Sequence, residues 1–226
     1  MRRLQDIIDN FFNFDILIRS RVLLLGGLFM TLRLISFSVL LASGFGLVLA
    51  VFRHARIRFF DPIIILYINL VRAIPGIVML MLIFYVLPFT GIRMSPFWAL
   101  TSAVAFTGGA YYAEIFRGGL SAVPRGQTEA ARASGLTFIQ TTRYVILPQA
   151  MRIILPPLTT NTVELIKATS IAAVVALPDL LWQALQAQAT TMNSTPLTAA
   201  LILYLIILLP LVELIRYLEG RMKTDY

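Results

Sequence analysis

The sequence predicts an all-α integral membrane protein with five transmembrane helices and a cytoplasmic two-helix loop between the third and the fourth. Three observations lead there. The 226-residue chain is 58% hydrophobic and 13% charged, against roughly half and about a quarter in soluble domains, so it has too few polar side chains to cover a surface in water. Five stretches reach the length of about 20 mainly apolar residues that a bilayer-crossing helix needs. The basic residues gather in the gaps between those stretches, which is the pattern of membrane topology.

The same pattern disposes of other classes. A formal net charge of +8 and an isoelectric point near 10.3 would suit a nucleic-acid binder, but such a protein clusters its cations on one solvated face; no nucleic acid is expected here. Without cysteine there is neither a disulfide nor a thiolate metal site. The single histidine, His54, sits among arginines as a solvated loop residue. No linker, repeat or low-complexity run divides the chain, so residues 1–226 read as one transmembrane domain. The first residues lack the apolar core and small-residue cleavage site of a secretory leader.

In residues 1–19, Leu4, Ile7, Ile8, Phe11 and Phe12 recur at three- and four-residue spacing among Asp6, Asp9 and Asp15, which predicts an amphipathic helix lying in the interface. The spans follow at about residues 22–52, 63–87, 97–116, 153–177 and 197–218. The first is long enough to tilt or to extend beyond the membrane. In the second, Pro75 should distort the helix. Gly44 and Gly46 in the first span, and Gly108, Gly109 and Ala110 in the third, are expected to let helices approach closely. Arg53, Arg56, Arg58, Arg117, Arg125, Arg132, Arg143, Arg152, Arg216, Arg221 and Lys223 fall on one side; Arg2, Arg3, Arg19, Arg21 and Arg93 fall on the other. The richer side is cytoplasmic by the positive-inside rule, which puts the N-terminus outside and the C-terminus in the cytoplasm.

Residues 117–152 are too long for an ordinary connection and carry their own helix punctuation. Pro124 suits a first turn, the run from Glu129 to Ala133 has high helix propensity, and Gly135 is placed to cap it. Thr137 and Gln140 have capping-box spacing for a second helix, which Pro148 should stop or bend. Leu136, Phe138, Ile139, Tyr144, Val145, Ile146 and Leu147 make this hairpin more apolar than a free loop, as a docking surface would be.

Charges inside spans cost about 2.5–3.5 kcal/mol at the bilayer centre, so each needs a reason. Glu114 and Arg117 are one turn apart and can pair. Arg33 can snorkel outward. Arg72 has two open roles: an anchor at the Pro75 bend, or a partner for a carboxylate in the path. The fourth span, loosened at its start by Pro156 and Pro157, then carries Thr159, Thr160, Asn161, Thr162, Glu164, Lys167, Thr169 and Ser170. Asn161, Glu164 and Ala168 share one face; Thr160, Glu164 and Lys167 share its neighbour. Glu164 and Lys167 can satisfy each other, but the hydroxyls and the amide need partners too, which favours a helix lining a wet pathway.

The string Glu129-Ala130-Ala131, Gly135 and Val145-Ile146-Leu147-Pro148 resembles the cytoplasmic EAA loop of binding-protein-dependent ABC importer permeases. Val145 stands where that family usually has Ile. Residues 113–119, 123–127 and 143–157, Arg72-Ala73-Ile74-Pro75, and Leu177-Pro178-Asp179-Leu180 are similar to its polar amino-acid subfamily, and the resemblance runs from about residue 20 to 222. It implies a permease of the bacterial inner membrane that pairs with a second permease, the same chain or a related one. Glu129, Ala130, Ala131, Arg132, Gly135, Leu147 and Pro148 would form the coupling surface for two cytoplasmic ATPases, and an extracytoplasmic binding protein would deliver solute. No cofactor is expected in this chain, which has no phosphate-binding Gly-Lys-Ser/Thr loop; ATP and Mg belong to the partner ATPase.

Departures from the family narrow the solute. Asn161 stands where Glu is common, and Ala168 where Asp or Asn is. Losing those acids argues against cationic amino acids and for acidic or neutral polar ones such as glutamate, aspartate or glutamine. The expected path residues are Arg72, Thr160, Asn161, Glu164, Lys167 and Ser170, with Arg72 offered to a carboxylate. The alternative is a secondary carrier or channel driven by an ion gradient, in which Glu114, Glu164 and Lys167 relay protons; five spans leave no matched inverted repeat for it.

Overall fold

The computed structural model describes residues 2–54 and 60–223, and the backbone alone at 2–4, 6, 7, 54, 215, 218, 219 and 221–223. Arg56 and Arg58 therefore lie outside the described residues, as do the side chains of Arg2, Arg3, Leu4, Asp6, Ile7, His54, Arg221 and Lys223. All regular structure among the described residues is helical, which satisfies backbone groups within each segment as lipid demands.

Helix α1 (Arg2–Phe11) is followed almost at once by α2 (Phe14–His54). The break falls at Asn13, whose Oδ1 accepts from the Ile16 N–H at 3.1 Å, as a helix cap does. Residues 14–19 thus belong to α2, and the separate N-terminal segment is shorter than the sequence suggests. At 1.5 Å per residue α2 is about 60 Å long, twice the roughly 30 Å hydrocarbon core, so it must run obliquely or project. It packs along α5 (Pro96–Ala122). A Cβ on Gly46 would lie 2.6 Å from the Tyr112 Cβ and 2.9 Å from the Gly109 carbonyl oxygen. Gly44 faces open space instead, because two residues along a helix turn a side chain about 200° away.

The second span is broken. Helix α3 (Asp61–Ala73) stops at Ile74 and Pro75, both extended, since Pro75 has no N–H to continue it. Helix α4 (Gly76–Met81) then runs on through a π turn (Leu82–Val86) and a 3-10 turn (Leu87–Thr90), bent 105° from α3.

After α5, α6 (Arg125–Ala133) begins with Pro124 as its cap rather than in its first turn. It ends at Gly135, whose φ is +86°. The Leu136 N–H reaches back to the Ala131 carbonyl at 3.2 Å, closing a Schellman turn. Helix α7 (Phe138–Thr141) starts with the reciprocal Thr137–Gln140 capping box. Pro148 does not end it. A π turn (Thr142–Ile146) leads into α8 (Leu147–Ala168) and a 3-10 segment (Thr169–Val175). In that π turn the Leu147 N–H bonds to the Thr142 carbonyl five residues back, and the widened turn accommodates the proline ring. The free loop is accordingly shorter than residues 117–152: residues 117–122 extend α5, and residues 138–152 form the base of the α8 rod. Pro156 and Pro157 lie inside α8, not at its start.

Helix α9 (Leu180–Thr191) occupies what reads in sequence as a connection, bent 47° from the preceding helix. Asp179 starts it by accepting from the Trp182 N–H at 2.8 Å. That carboxylate is fully buried, and a Cβ on Gly27 of α2 would meet the Asp179 carbonyl at 2.7 Å. Helix α10 (Thr195–Lys223) completes the chain.

Among the described residues, α2 and α10 are each long and apolar enough to cross a membrane, and the bent pairs α3–α4 and α8–α9 reach that measure together. The expected third span, α5, falls short of it. Its Gly, Ser, Thr and Tyr residues lower its hydropathy, and α2 and α8 cover much of it, with Leu100, Ala103, Tyr112 and Leu165 in the shared core.

Candidate functional site

The bend between α3 and α4 faces α5 and α8, and a cleft of about 480 Å³ lies between them. Small-molecule sites occupy roughly 300–1,000 Å³. Arg72, Pro75 and Gly76 come from the bend, Thr107 and Tyr111 from α5, and Asn161, Glu164 and Ala168 from α8. The last three follow three- and four-residue spacing and therefore share a face.

Arg72 is in the last turn of α3, where a cation complements the helix dipole. Its guanidinium carbon lies 5.0 Å from the centroid of the Tyr111 ring, a cation–π contact. No carboxylate pairs with it among the described residues. The Asn161 Oδ1 is buried and accepts no hydrogen bond among the described residues; an acceptor left this way costs about 1–3 kcal/mol unless something donates to it. Glu164 is partnered by the Lys167 Nζ at 2.7 Å. Beside the cleft, the hydroxyls of Tyr112 and Thr162 are 2.7 Å apart and tie α5 to α8.

Of the expected path residues, the cleft gathers Arg72, Asn161 and Glu164 and leaves out Thr160, Lys167 and Ser170. Thr160 is exposed, about 100° round the helix from Asn161. Lys167 also lies on the exposed face, reaching Glu164 from outside the lining. Ser170 lies in the 3-10 segment and donates to the Lys167 carbonyl at 2.7 Å. The sequence reading did not single out Thr107 and Tyr111 as lining. Their i,i+4 spacing beside Gly108, at the polar middle of an otherwise apolar span, was the available signal.

The Glu114–Arg117 pair forms at 2.7 Å, but Glu114 also binds Arg53 of α2, which reaches Asp61 of α3 at 3.5 Å. Three helices meet in this one cluster. Arg33 lies between the rings of Phe29 and Phe97, at 5.9 and 5.7 Å from their centroids.

A second candidate surface surrounds α6. Glu129, Ala130, Arg132, Gly135, Leu147 and Pro148 are exposed, while Ala131 is buried. Arg132 Nη1 donates to the Leu136 carbonyl at 3.1 Å, so its guanidinium braces the Gly135 turn. Phe138, Ile139 and Tyr144 stand 66%, 75% and 65% exposed, an apolar patch that no described residue covers. Gln149 donates to Gln127 at 3.2 Å and links α6 to the base of α8.

Known proteins resemble this chain in sequence and fold. The profile of binding-protein-dependent transport system inner membrane components matches residues 42–224. The probable glutamine ABC transporter permease GlnM of Bacillus subtilis is 36% identical over 192 residues, 83% of this chain and 88% of its own. The glutamine transport system permease GlnP of Escherichia coli is 37% identical over 166 residues, 72% of this chain and 76% of its own. A solved structure described as an amino acid ABC transporter with histidines superposes with a TM-score of 0.83 at 34% identity, covering 91% of this chain and 96% of that one. The match spans the cleft and the α6–α7 turn alike, and the chain belongs to the binding-protein-dependent transport system inner membrane components.

Proposed function

We propose that the chain is the membrane-spanning permease subunit of an ATP-driven ABC importer for a polar amino acid, moving solute by alternating access. The cleft carries this reading: among the described residues, a cation without a carboxylate and an amide oxygen without a donor line one solute-sized space. A solute carboxylate would meet Arg72 in a charge-assisted hydrogen bond, and a solute N–H would meet Asn161. With Glu164 offset by Lys167, an acidic or neutral polar amino acid, such as glutamate, aspartate or glutamine, fits better than a cationic one. The glutamine permeases among the relatives support the same class.

In this reading five membrane passes include α5, the N-terminus is outside and the C-terminus is cytoplasmic. The exposed α6–α7 corner docks on a cytoplasmic ATPase that holds ATP and Mg. A second permease subunit, the same chain or a relative, completes the path with a second ATPase, and an extracytoplasmic binding protein supplies solute. An ion-gradient carrier is less well supported, because Glu114, Glu164 and Lys167, its relay groups, are held in ion pairs.

The test is uptake of labelled amino acids into proteoliposomes holding the assembled transporter. ATP-dependent import, competed by glutamine or glutamate and not by arginine, is the expected result. Uptake that ignores ATP and follows an imposed ion gradient would replace the importer with a carrier.

A further inference from the structure

Away from the cleft, α2 and α10 enclose a groove of about 280 Å³. Leu17, Leu24 and Leu25 of α2 and Ala199, Ile202 and Leu203 of α10 line it, and among the described residues Arg21 alone is charged there, lending its aliphatic stem to the wall. Among the described residues Arg21 has no carboxylate partner. An unpaired guanidinium beside an apolar groove is costly in lipid unless an anion meets it.

Depth supplies a second argument. The corner between α1 and α2 is fastened to the α9–α10 turn: the Ser194 N–H donates to the Asn10 carbonyl at 2.9 Å and the Asn13 N–H to the Thr195 hydroxyl at 2.9 Å. With amphipathic α1 in the interface, Arg21 sits about 10 Å further along α2, where a long side chain still reaches back to the phosphate level. Leu24 and Leu25 lie about one turn deeper, while Ile202 and Leu203, level with the Arg21 Cα, stand below its upturned guanidinium. An anion above and alkyl carbon below describe an amphiphile, and a free phosphate would leave the apolar lining unused.

We propose that this groove binds an anionic phospholipid, with its phosphate on Arg21 and one acyl chain between α2 and α10. Native mass spectrometry of the assembled transporter, given equal phosphatidylglycerol and phosphatidylethanolamine, tests it. Phosphatidylglycerol should be retained in preference, and Arg21→Gln should lower its occupancy about fivefold, the worth of one basic residue near an anionic surface. Arg19→Gln, the same charge change off the groove, should leave occupancy unaltered, and Ile202→Trp, which fills the groove without touching charge, should reduce it. Equal retention of the two lipids, equal loss in both arginine variants, no effect of Ile202→Trp, or a polypeptide bound in place of lipid would each overturn the proposal.

Discussion

Arg72 stacks on Tyr111 and leaves its charge facing the cleft, so its removal should be felt by the solute more than by the fold. Hydrogen bonds to charged groups contribute about 1.5–3 kcal/mol, and 1.4 kcal/mol is about tenfold in affinity. Arg72→Ala should therefore raise the half-saturating solute concentration at least about tenfold in uptake kinetics; an unchanged value would remove Arg72 from the path. Asn161→Glu places a carboxylate where an unpartnered carbonyl now stands, and competition assays should show arginine or lysine gaining ground over glutamate. The ion cluster makes a different forecast. Glu114→Ala leaves Arg53, whose side chain is 15% exposed, with only the more distant Asp61 as partner, and losing a hydrogen bond between charged groups costs about 1.5–3 kcal/mol. Arg117 is 42% exposed, so Arg117→Ala should cost under about 1 kcal/mol. Thermal unfolding midpoints in detergent should fall clearly for the first variant and little for the second.

Among the elements, those set by neighbouring residues could be read from the sequence. Gly135 with its left-handed φ, the Thr137–Gln140 box and the 161/164/168 face all rest on spacings of a few residues. Helix α9 was hidden because an amide-rich run, from Gln183 to Thr191, resembles a connection until Asp179 is recognised as its cap. Pro148 misleads because the π turn that absorbs it depends on how the rod packs, not on proline's own preference. Arg53 meeting Asp61 and Glu114, or Tyr111 lying under Arg72, joins residues on different helices, and one sequence carries no record of such encounters. The corner of α6 and α7 yields its own expectation. Gly135→Pro or Glu129→Lys should leave membrane insertion intact while ATP hydrolysis no longer drives uptake, measured side by side in proteoliposomes; normal coupled uptake in both would count against the docking role of that corner.

For the whole molecule, the proposed function requires company. Purification in mild detergent should bring down two ATPase copies, with either two copies of this chain or one copy and a related permease, as read from the intact mass. A transport-competent complex without any ATPase would point to a carrier. Within the chain, one helical rod from Phe138 to Val175 forms a shaft with exposed Phe138 and Ile139 at one end and the cleft face further along. The π turn at Thr142–Ile146 takes one more residue into a turn than α winding does, and beyond it each residue of α8 advances the helix by about 100°, which fixes the angular phase between the two. Inserting one alanine between Arg152 and Ile153, in the regular winding of α8, would rotate Phe138 and Ile139 by about that angle relative to Asn161, with composition almost unchanged. A protein so altered that still inserts and binds solute, yet imports none, would show that the signal from the ATPase is carried as torsion along the shaft.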